Sequence, residues 1–310
     1  MQHNRRVPKA PSSTAALPTG PGVYRFRDGR GRTLYIGRAT SLRSRVRSYW
    51  GDLRGRGHLR RMVPKVAQVE ALACRSLHEA CWLERNLLEQ SLPYWNRARG
   101  GAEVPVYVVL DARGLAPSLR VVHDRAEVDA QVACFGPYLG GFRVRTAIDA
   151  LARVLPLAST GTRLGGFERD LARLRGVGPH DRARIVGVLT GLFERDPDAV
   201  RQAQALLTAR RDRAVAELAF ERAASVQAQV RALEWLAAEQ QVTCDGAGDY
   251  QVCGWAGGRL LLLQARGGRM NRWSVRPCSA EAAARPLAKT PRAWRDFAAV
   301  NAELAAALDG

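Results

Sequence analysis

Val23-Tyr24-Arg25-Phe26-Arg27-Asp28-Gly29-Arg30-Gly31-Arg32-Thr33-Leu34-Tyr35-Ile36-Gly37 is the stretch whose reading decides the fold. Val23–Phe26 and Thr33–Ile36 are short β-prone runs, and the Asp28-Gly29 pair between them signals a hairpin. From Ser41 to Tyr49 the period changes: Leu42, Val46 and Tyr49 recur at helical spacing. Val66–Cys74 reads as a third strand. Ser76-Leu77-His78-Glu79 is a capping box, a serine N-cap with a glutamate three residues on, and it opens a helix to about Gln90 that Pro93 ends.

Outward from this block the signals thin. Residues 1–16 read as a flexible basic leader, and Gly100-Gly101 marks a boundary for a first domain over 17–100. Val104–Leu110 and Leu119–His123 look like a second hairpin, in a connector over 101–195. Asp196-Pro197-Asp198 precedes a long helical stretch with a break near Phe220, giving a helical hairpin over 196–241. Gln251–Trp255 and Arg259–Gln264 are a last strand pair in a small C-terminal domain, 242–310.

The formal net charge is +19 over 310 residues, and it is uneven. Residues 1–100 hold 20 Lys+Arg against 6 Asp+Glu, and the other 210 residues hold 28 against 23. Basic excess gathered on one domain is the footprint of a phosphate-backbone binder, although an arginine-rich solvated surface also produces it. No run approaches the ~18 apolar residues of a membrane span. The polar, basic start argues against a secretory signal, so a cytoplasmic protein is expected. The six cysteines are scattered with no CxxC pair and read as core or surface thiols.

Glu84 is the residue whose placement demands chemistry. On the Leu77–Gln90 helix it lies four after Ala80, three before Leu87 and four before Leu88, so it points into the apolar stripe. An inward carboxylate is costly unless it is paired or coordinated. A structural ion pair with an arginine and ligation of Mg²⁺ with waters and a phosphate both satisfy it. Arg45, three after Leu42 and four before Tyr49, lies beside the packed face of the earlier helix, whereas Arg43 and Arg47 point elsewhere as phosphate-tracking residues. Cleaving a phosphodiester needs an activated water, a cation on the phosphate and a donor for the leaving oxygen. A tyrosine whose pKa a neighbouring cation or metal lowers, an arginine and one carboxylate form a coherent set for that task.

Gly22-Val23-Tyr24 and Tyr35-Ile36-Gly37, followed by Arg38-Ala39-Thr40-Ser41-Leu42-Arg43-Ser44-Arg45-Val46-Arg47-Ser48-Tyr49, resemble the GIY-YIG nucleases, and most closely the UvrC and Cho excision-repair family. Leu17-Pro18-Thr19-Gly20-Pro21 looks like that family's lead-in, and Cys134-Phe135-Gly136-Pro137-Tyr138 its segment after the nuclease domain. The resemblance covers roughly residues 17–240. It implies an active site of Tyr24, Tyr35, Arg45 and Glu84 lined by Tyr49 and Asn96. Within it Tyr35 is the general base, Glu84 the ligand of one Mg²⁺ or Mn²⁺, and Arg45 the phosphate clamp. Arg38 stands where the family usually has lysine, and arginine is a rigid fork that does not give up a proton. The stretch matching the family's cysteine cluster, Arg175-Gly176-Val177-Gly178-Pro179-His180, has no cysteine, so no iron–sulfur cluster is expected; its Gly-Val-Gly also hints at a helix-hairpin-helix motif.

Residues 210–236 resemble the paired-helix segment that binds the loading partner UvrB, with Phe220, Glu221 and Arg222 as contacts, although an ordinary helical hairpin fits the pattern too. The expectation is therefore an α+β chain. A small three-stranded antiparallel sheet flanked by helices is followed by a mostly helical connector, a helical hairpin and a small β-containing tail. Its expected activity is a single metal-dependent incision in damaged double-stranded DNA, with Arg38, Arg43, Arg47, Arg54, Arg56, Arg60 and Arg61 contacting the duplex, and with no membrane partner. A similar nuclease serving a polymerase or mismatch pathway, and a non-catalytic DNA-binding adaptor, are the rival readings.

Overall fold

The computed structural model describes residues 11–51, 57–97, 103–113 and 115–309. Strand β1 (Gly22–Arg27) lies between β2 (Thr33–Ala39) and β3 (Gln68–Ala73), antiparallel to both. The β1–β2 turn is closed by Asp28, whose Oδ1 accepts from the N–H groups of Arg30 (3.0 Å) and Arg32 (2.9 Å). Gly31 takes the left-handed φ of +74° that this turn needs. Ser41 caps helix α1 (Leu42–Arg47), which continues as a 3₁₀ turn through Trp50. Helix α2 (Leu77–Gln90) begins at Ser76, whose hydroxyl accepts from Glu79 N. Glu79 departs from a closed capping box. Its carboxylate accepts from Arg75 N (2.8 Å) and from Gln241 N (3.0 Å), so it holds a distant segment as well as the helix start.

Residues Glu103–Ala238 form a unit of their own. A sheet ordered β5-β4-β6 is built from β4 (Val106–Asp111), β5 (Ser118–Val122) and β6 (Ala133–Tyr138). Helices α3 (Gly141–Val154), α4 (Gly166–Leu174), α5 (Arg182–Phe193), α6 (Pro197–Ala216) and α7 (Phe220–Ala237) follow. Leu151, Leu189, Leu207 and Leu233, all fully buried, join one core from α3, α5, α6 and α7. Asp196 caps α6 through Asp198 N and Ala199 N, and α6 and α7 form the helical hairpin expected from the break near Phe220. The Gly176-Val177-Gly178 stretch does join two helices, but Gly178 N–H donates to Asp181 Oδ2 (3.1 Å) inside its own turn.

The C-terminal residues depart most from the sequence reading. A sheet ordered β7-β8-β9 comprises β7 (Tyr250–Ala256), β8 (Arg259–Arg266) and β9 (Arg269–Pro277), followed by α8 (Ala280–Ala288) and α9 (Arg295–Asp309). Strand β9 escapes a pattern-based reading because Arg269, Arg272 and Arg276 interrupt its apolar alternation and a register shift at Gln264/Ala265 breaks the period. Residues 242–310, expected as a separate small domain, instead fall with residues 239–241 in the same unit as the first sheet. Leu304 and Leu308 of α9 join the core of Tyr24, Phe26, Val46 and Tyr49. Burial of that kind contributes about 1.5–3 kcal/mol per leucine.

Asn301 shows why the tail docks there. β3 is an edge strand, and its free backbone groups need partners. The buried Asn301 amide accepts from Ala73 N (2.6 Å) and donates to Ala73 O (3.1 Å). Asn86 on α2 donates to Val242 O (3.3 Å) and Thr243 Oγ1 (2.9 Å), and Arg25 stacks 4.1 Å from the Trp273 ring while pairing with Glu70. The first sheet is thus buttressed by chain that lies more than 130 residues downstream of α2.

Candidate active site

Strand β2 forms the other edge of the first sheet, and the candidate residues gather around it. Cross-strand pairs Tyr24↔Gly37 and Phe26↔Tyr35 share one face; Val23↔Arg38 and Arg25↔Ile36 share the opposite one. On the first face Tyr24 and Tyr49, both fully buried, place their hydroxyls 2.6 Å apart. Tyr35 bonds to Tyr49, and Arg45 Nε donates to Tyr24 Oη at 3.4 Å, which links Tyr35, Tyr49, Tyr24 and Arg45 in one chain. The guanidinium of Arg45 also lies 5.6 Å from the Tyr49 ring centre. Gly37 is required by this cluster: a Cβ there would sit 2.5 Å from Tyr24 Oη and 2.8 Å from Tyr35 Cε1.

Glu84 reaches the β2 edge from α2. Its Oε1 accepts from Arg38 N (3.2 Å) and its Oε2 from Arg38 Nη1 (2.8 Å), with the carboxylate side chain 16% exposed and that of Arg38 38% exposed. The arginine pairing that the helical pattern allowed is therefore formed. Burial raises the Glu84 pKa above the ordinary glutamate value, and Arg38 and Arg45 pull it back only in part. The Glu84 charge also adds to the rise in the Tyr35 pKa.

Arg45 by itself does not supply the lowered phenol pKa that a tyrosine base needs from a neighbouring cation or metal. Burial pushes Tyr24, Tyr35 and Tyr49 up, and the pull of Arg45 does not offset it. Tyr35 alone of the three is partly exposed.

Asn96 does something that spacing does not convey. Its Oδ1 accepts from Ile36 N (3.0 Å) and its Nδ2 donates to Ile36 O (2.7 Å), clamping the edge strand between Tyr35 and Gly37. This is the same device that Asn301 uses on β3. Arg43 donates to Leu17 O at 2.6 Å, so it anchors the preceding segment and does not stand free. Arg47, Arg60 and Arg61 are exposed, while Arg54 and Arg56 lie outside the described residues. Phe220 is 66% exposed at the α6–α7 turn; Glu221 is exposed, and Arg222 pairs with Glu217 at 2.9 Å.

Residues 20–97 match the model of the UvrC-like GIY-YIG domain. The chain carries a UvrC-like GIY-YIG domain. Beyond that domain it is similar to the UvrABC system protein C of Desulforudis audaxviator, with 33% identity over 271 residues that cover 82% of this chain and 43% of that protein. The counterpart from Mycolicibacterium vanbaalenii is 31% identical over 321 residues, covering 95% and 46%. The chain thus spans less than half the length of the relatives it matches. Among solved structures, the GIY-YIG N-terminal endonuclease domain of Thermotoga maritima UvrC, described as bound to its catalytic divalent cation magnesium, is 28% identical. That match covers 28% of this chain and all of that one, with a TM-score of 0.26.

Among the described residues no group of three His, Cys, Asp or Glu could hold a metal, and no helix is long and apolar enough to cross a membrane. Glu84 is nevertheless a suitable single ligand. It is a hard oxygen donor at a partly open edge, and one carboxylate completed by waters and a phosphate is ordinary Mg²⁺ coordination.

Proposed function

We propose that this chain is an endodeoxyribonuclease that makes one metal-dependent incision in damaged double-stranded DNA during nucleotide excision repair. The observation that carries this reading is the convergence of Glu84, Arg38, Arg45 and the linked tyrosines on one strand edge. A Mg²⁺ or Mn²⁺ ion held by Glu84 would polarise the scissile phosphate and favour the ionised form of a nearby phenol. Tyr35, the partly exposed member of the phenol chain, then accepts the proton of the attacking water, and Tyr49 and Tyr24 hold its ring in place. Arg45 and Arg38 face the charge that develops on the phosphate oxygens, where a preorganised cation acts most strongly. Asn96 keeps the Tyr35–Gly37 backbone in register. Arg47, Arg60 and Arg61 add sequence-independent phosphate contacts.

The α6–α7 turn supports a protein partner. Val215, Leu218 and Phe220 are 45%, 72% and 66% exposed there, an apolar tip flanked by Glu221 and the Arg222–Glu217 pair. A UvrB-like loading protein is the proposed occupant, a reading supported by the relatives' designation as protein C of a UvrABC system.

The closed Arg38–Glu84 pair is the one feature favouring a binding-only adaptor, because it satisfies the carboxylate without a metal. Incision of a labelled duplex carrying one bulky adduct, with and without the loading protein, separates the readings. A single Mg²⁺- or Mn²⁺-dependent nick that EDTA abolishes supports the nuclease. Intact duplex binding with no nick under any condition overturns it and leaves the adaptor.

A further inference from the structure

Behind the β2 edge, on the face that carries Arg38, the tail sheet and the GIY-YIG domain enclose a cleft of about 560 Å³. Ile36, Leu87, Gln90, Gln264, Asn271 and Arg272 line it. From the geometry we infer that this cleft is a subsite for a nucleotide flanking the scissile phosphate, with its outer wall supplied by β8 and β9. The inference rests on the nuclease reading for its position and on the cleft's own chemistry for its ligand.

Position comes first. Ile36 lies two residues before Arg38 on β2, about 7 Å along a strand. Leu87 lies three residues after Glu84 on α2, about 4.5 Å along a helix. Both walls therefore start one short step from the Arg38–Glu84 pair and run away from it together, β2 toward Thr33 and α2 toward Ser91. A nucleic-acid strand advances ~3.4 Å per nucleotide along a duplex axis. A strand whose scissile phosphate sits at Glu84 therefore reaches the cleft within one or two nucleotides.

The lining chemistry suits such a ligand. Arg272 is exposed and makes no ion pair among the described residues, so its guanidinium is available to a phosphate. Asn271 also lines the cleft, and its side-chain amide can donate to or accept from a base edge. Gln90 and Gln264 add amides that can serve as donors or acceptors, which accommodates different bases. A cation without an ion pair among the described residues and three adaptable amides suit a nucleotide's anionic and hydrogen-bonding ends. The pocket volume lies in the range of small-molecule sites.

The test uses the full chain in EDTA, so that it does not depend on cutting. Wild type, Arg272→Ala, Asn271→Leu and the control Arg285→Ala, an exposed arginine on α8, are titrated with a fluorescein-labelled duplex at several salt concentrations. Arg272→Ala is expected to reduce the slope of log K against log salt by about 0.9, the loss of one phosphate contact. The control should leave the slope unchanged. A duplex carrying scattered 5-iodouracil is then photo-crosslinked, and the adducts are expected within Arg269–Ser274 or Leu87–Ser91. An Arg272→Ala slope equal to wild type, or cross-links mapping wholly outside those two segments, overturns the subsite. A reduced slope and correct cross-links in a protein that never nicks would refute the nuclease reading while leaving the subsite intact.

Discussion

Replacing Asn301 with alanine tests the claim that the C-terminal helix is part of the fold that carries the candidate site. Three hydrogen bonds vanish: those to Ala73 N at 2.6 Å and Ala73 O at 3.1 Å, and the one to Phe297 O at 2.9 Å. The two Ala73 groups lie on a partly buried strand edge with no other strand to pair them. Leaving buried backbone groups unsatisfied costs about 1–3 kcal/mol each, and water admitted at the edge recovers a share, so a loss of roughly 3 kcal/mol is expected. For a unit of this size each kcal/mol moves the melting midpoint by about 2–4 °C, which predicts a fall of roughly 6–12 °C. The full chain is compared with the exposed-site control Glu303→Ala by calorimetry and by amide hydrogen exchange. Peptides covering Gln68–Ala73 and Gly22–Arg27 should exchange faster in Asn301→Ala, because β3 pairs with β1 along its whole length. A midpoint within ~1 °C of wild type with unchanged protection of both strands would refute the reasoning and restore residues 242–310 to an independent domain.

Other expectations follow from the same geometry. Gly37→Ala drives a methyl to within 2.5 Å of Tyr24 Oη in a packed phenol cluster, and overpacking of that kind should cost about 1–3 kcal/mol in urea denaturation. Unchanged stability would mean that the tyrosines shift freely. Burial holds the Glu84 pKa above the ordinary value, so the folded protein keeps the carboxyl protonated at pH values where an exposed glutamate is already ionised. Metal-dependent nicking should therefore fall, as pH drops, earlier than an exposed carboxylate would dictate. Arg38→Met removes the partner that lowers this pKa, so the acid limb of the rate profile should move to still higher pH. An acid limb that moves to lower pH, or does not move, would contradict that electrostatic account. Phe220→Asp should abolish capture by a UvrB-like protein and leave DNA affinity unchanged, as read by co-purification and duplex titration.

The parts of the fold that the sequence disclosed are those written in local signals. Asp28-Gly29 between two β-prone runs, the Ser76 cap and the break before Phe220 each rest on a few adjacent residues, and each marks a real turn or helix end. The partly inward placement of Glu84, 16% exposed, also agrees with the helical period of α2. Contacts between distant segments were not legible. Nothing local about Asn301 distinguishes a helix-surface asparagine from one that clamps a strand edge, and Leu304 and Leu308 look like the apolar face of any helix. Asn96 was found through its resemblance, yet its bonds to Ile36 make it a strand clamp, a role that depends on which edge it meets. The tyrosines do gather in one cluster, while the rise in their pKa was not legible, since desolvation depends on packing by Phe26, Trp50 and α1 that no spacing rule conveys.

The most direct test of the central claim is the rate of single-strand incision by Glu84→Gln against wild type, on one adduct-bearing duplex in Mg²⁺, with affinity measured on the same duplex. Glutamine keeps the shape and removes the charge that would hold the metal. The account predicts a loss of about 10²–10³-fold or more in rate with duplex affinity essentially unchanged. Glu84→Gln that nicks as fast as wild type would contradict it, leaving Glu84 as the structural partner of Arg38 and nothing more.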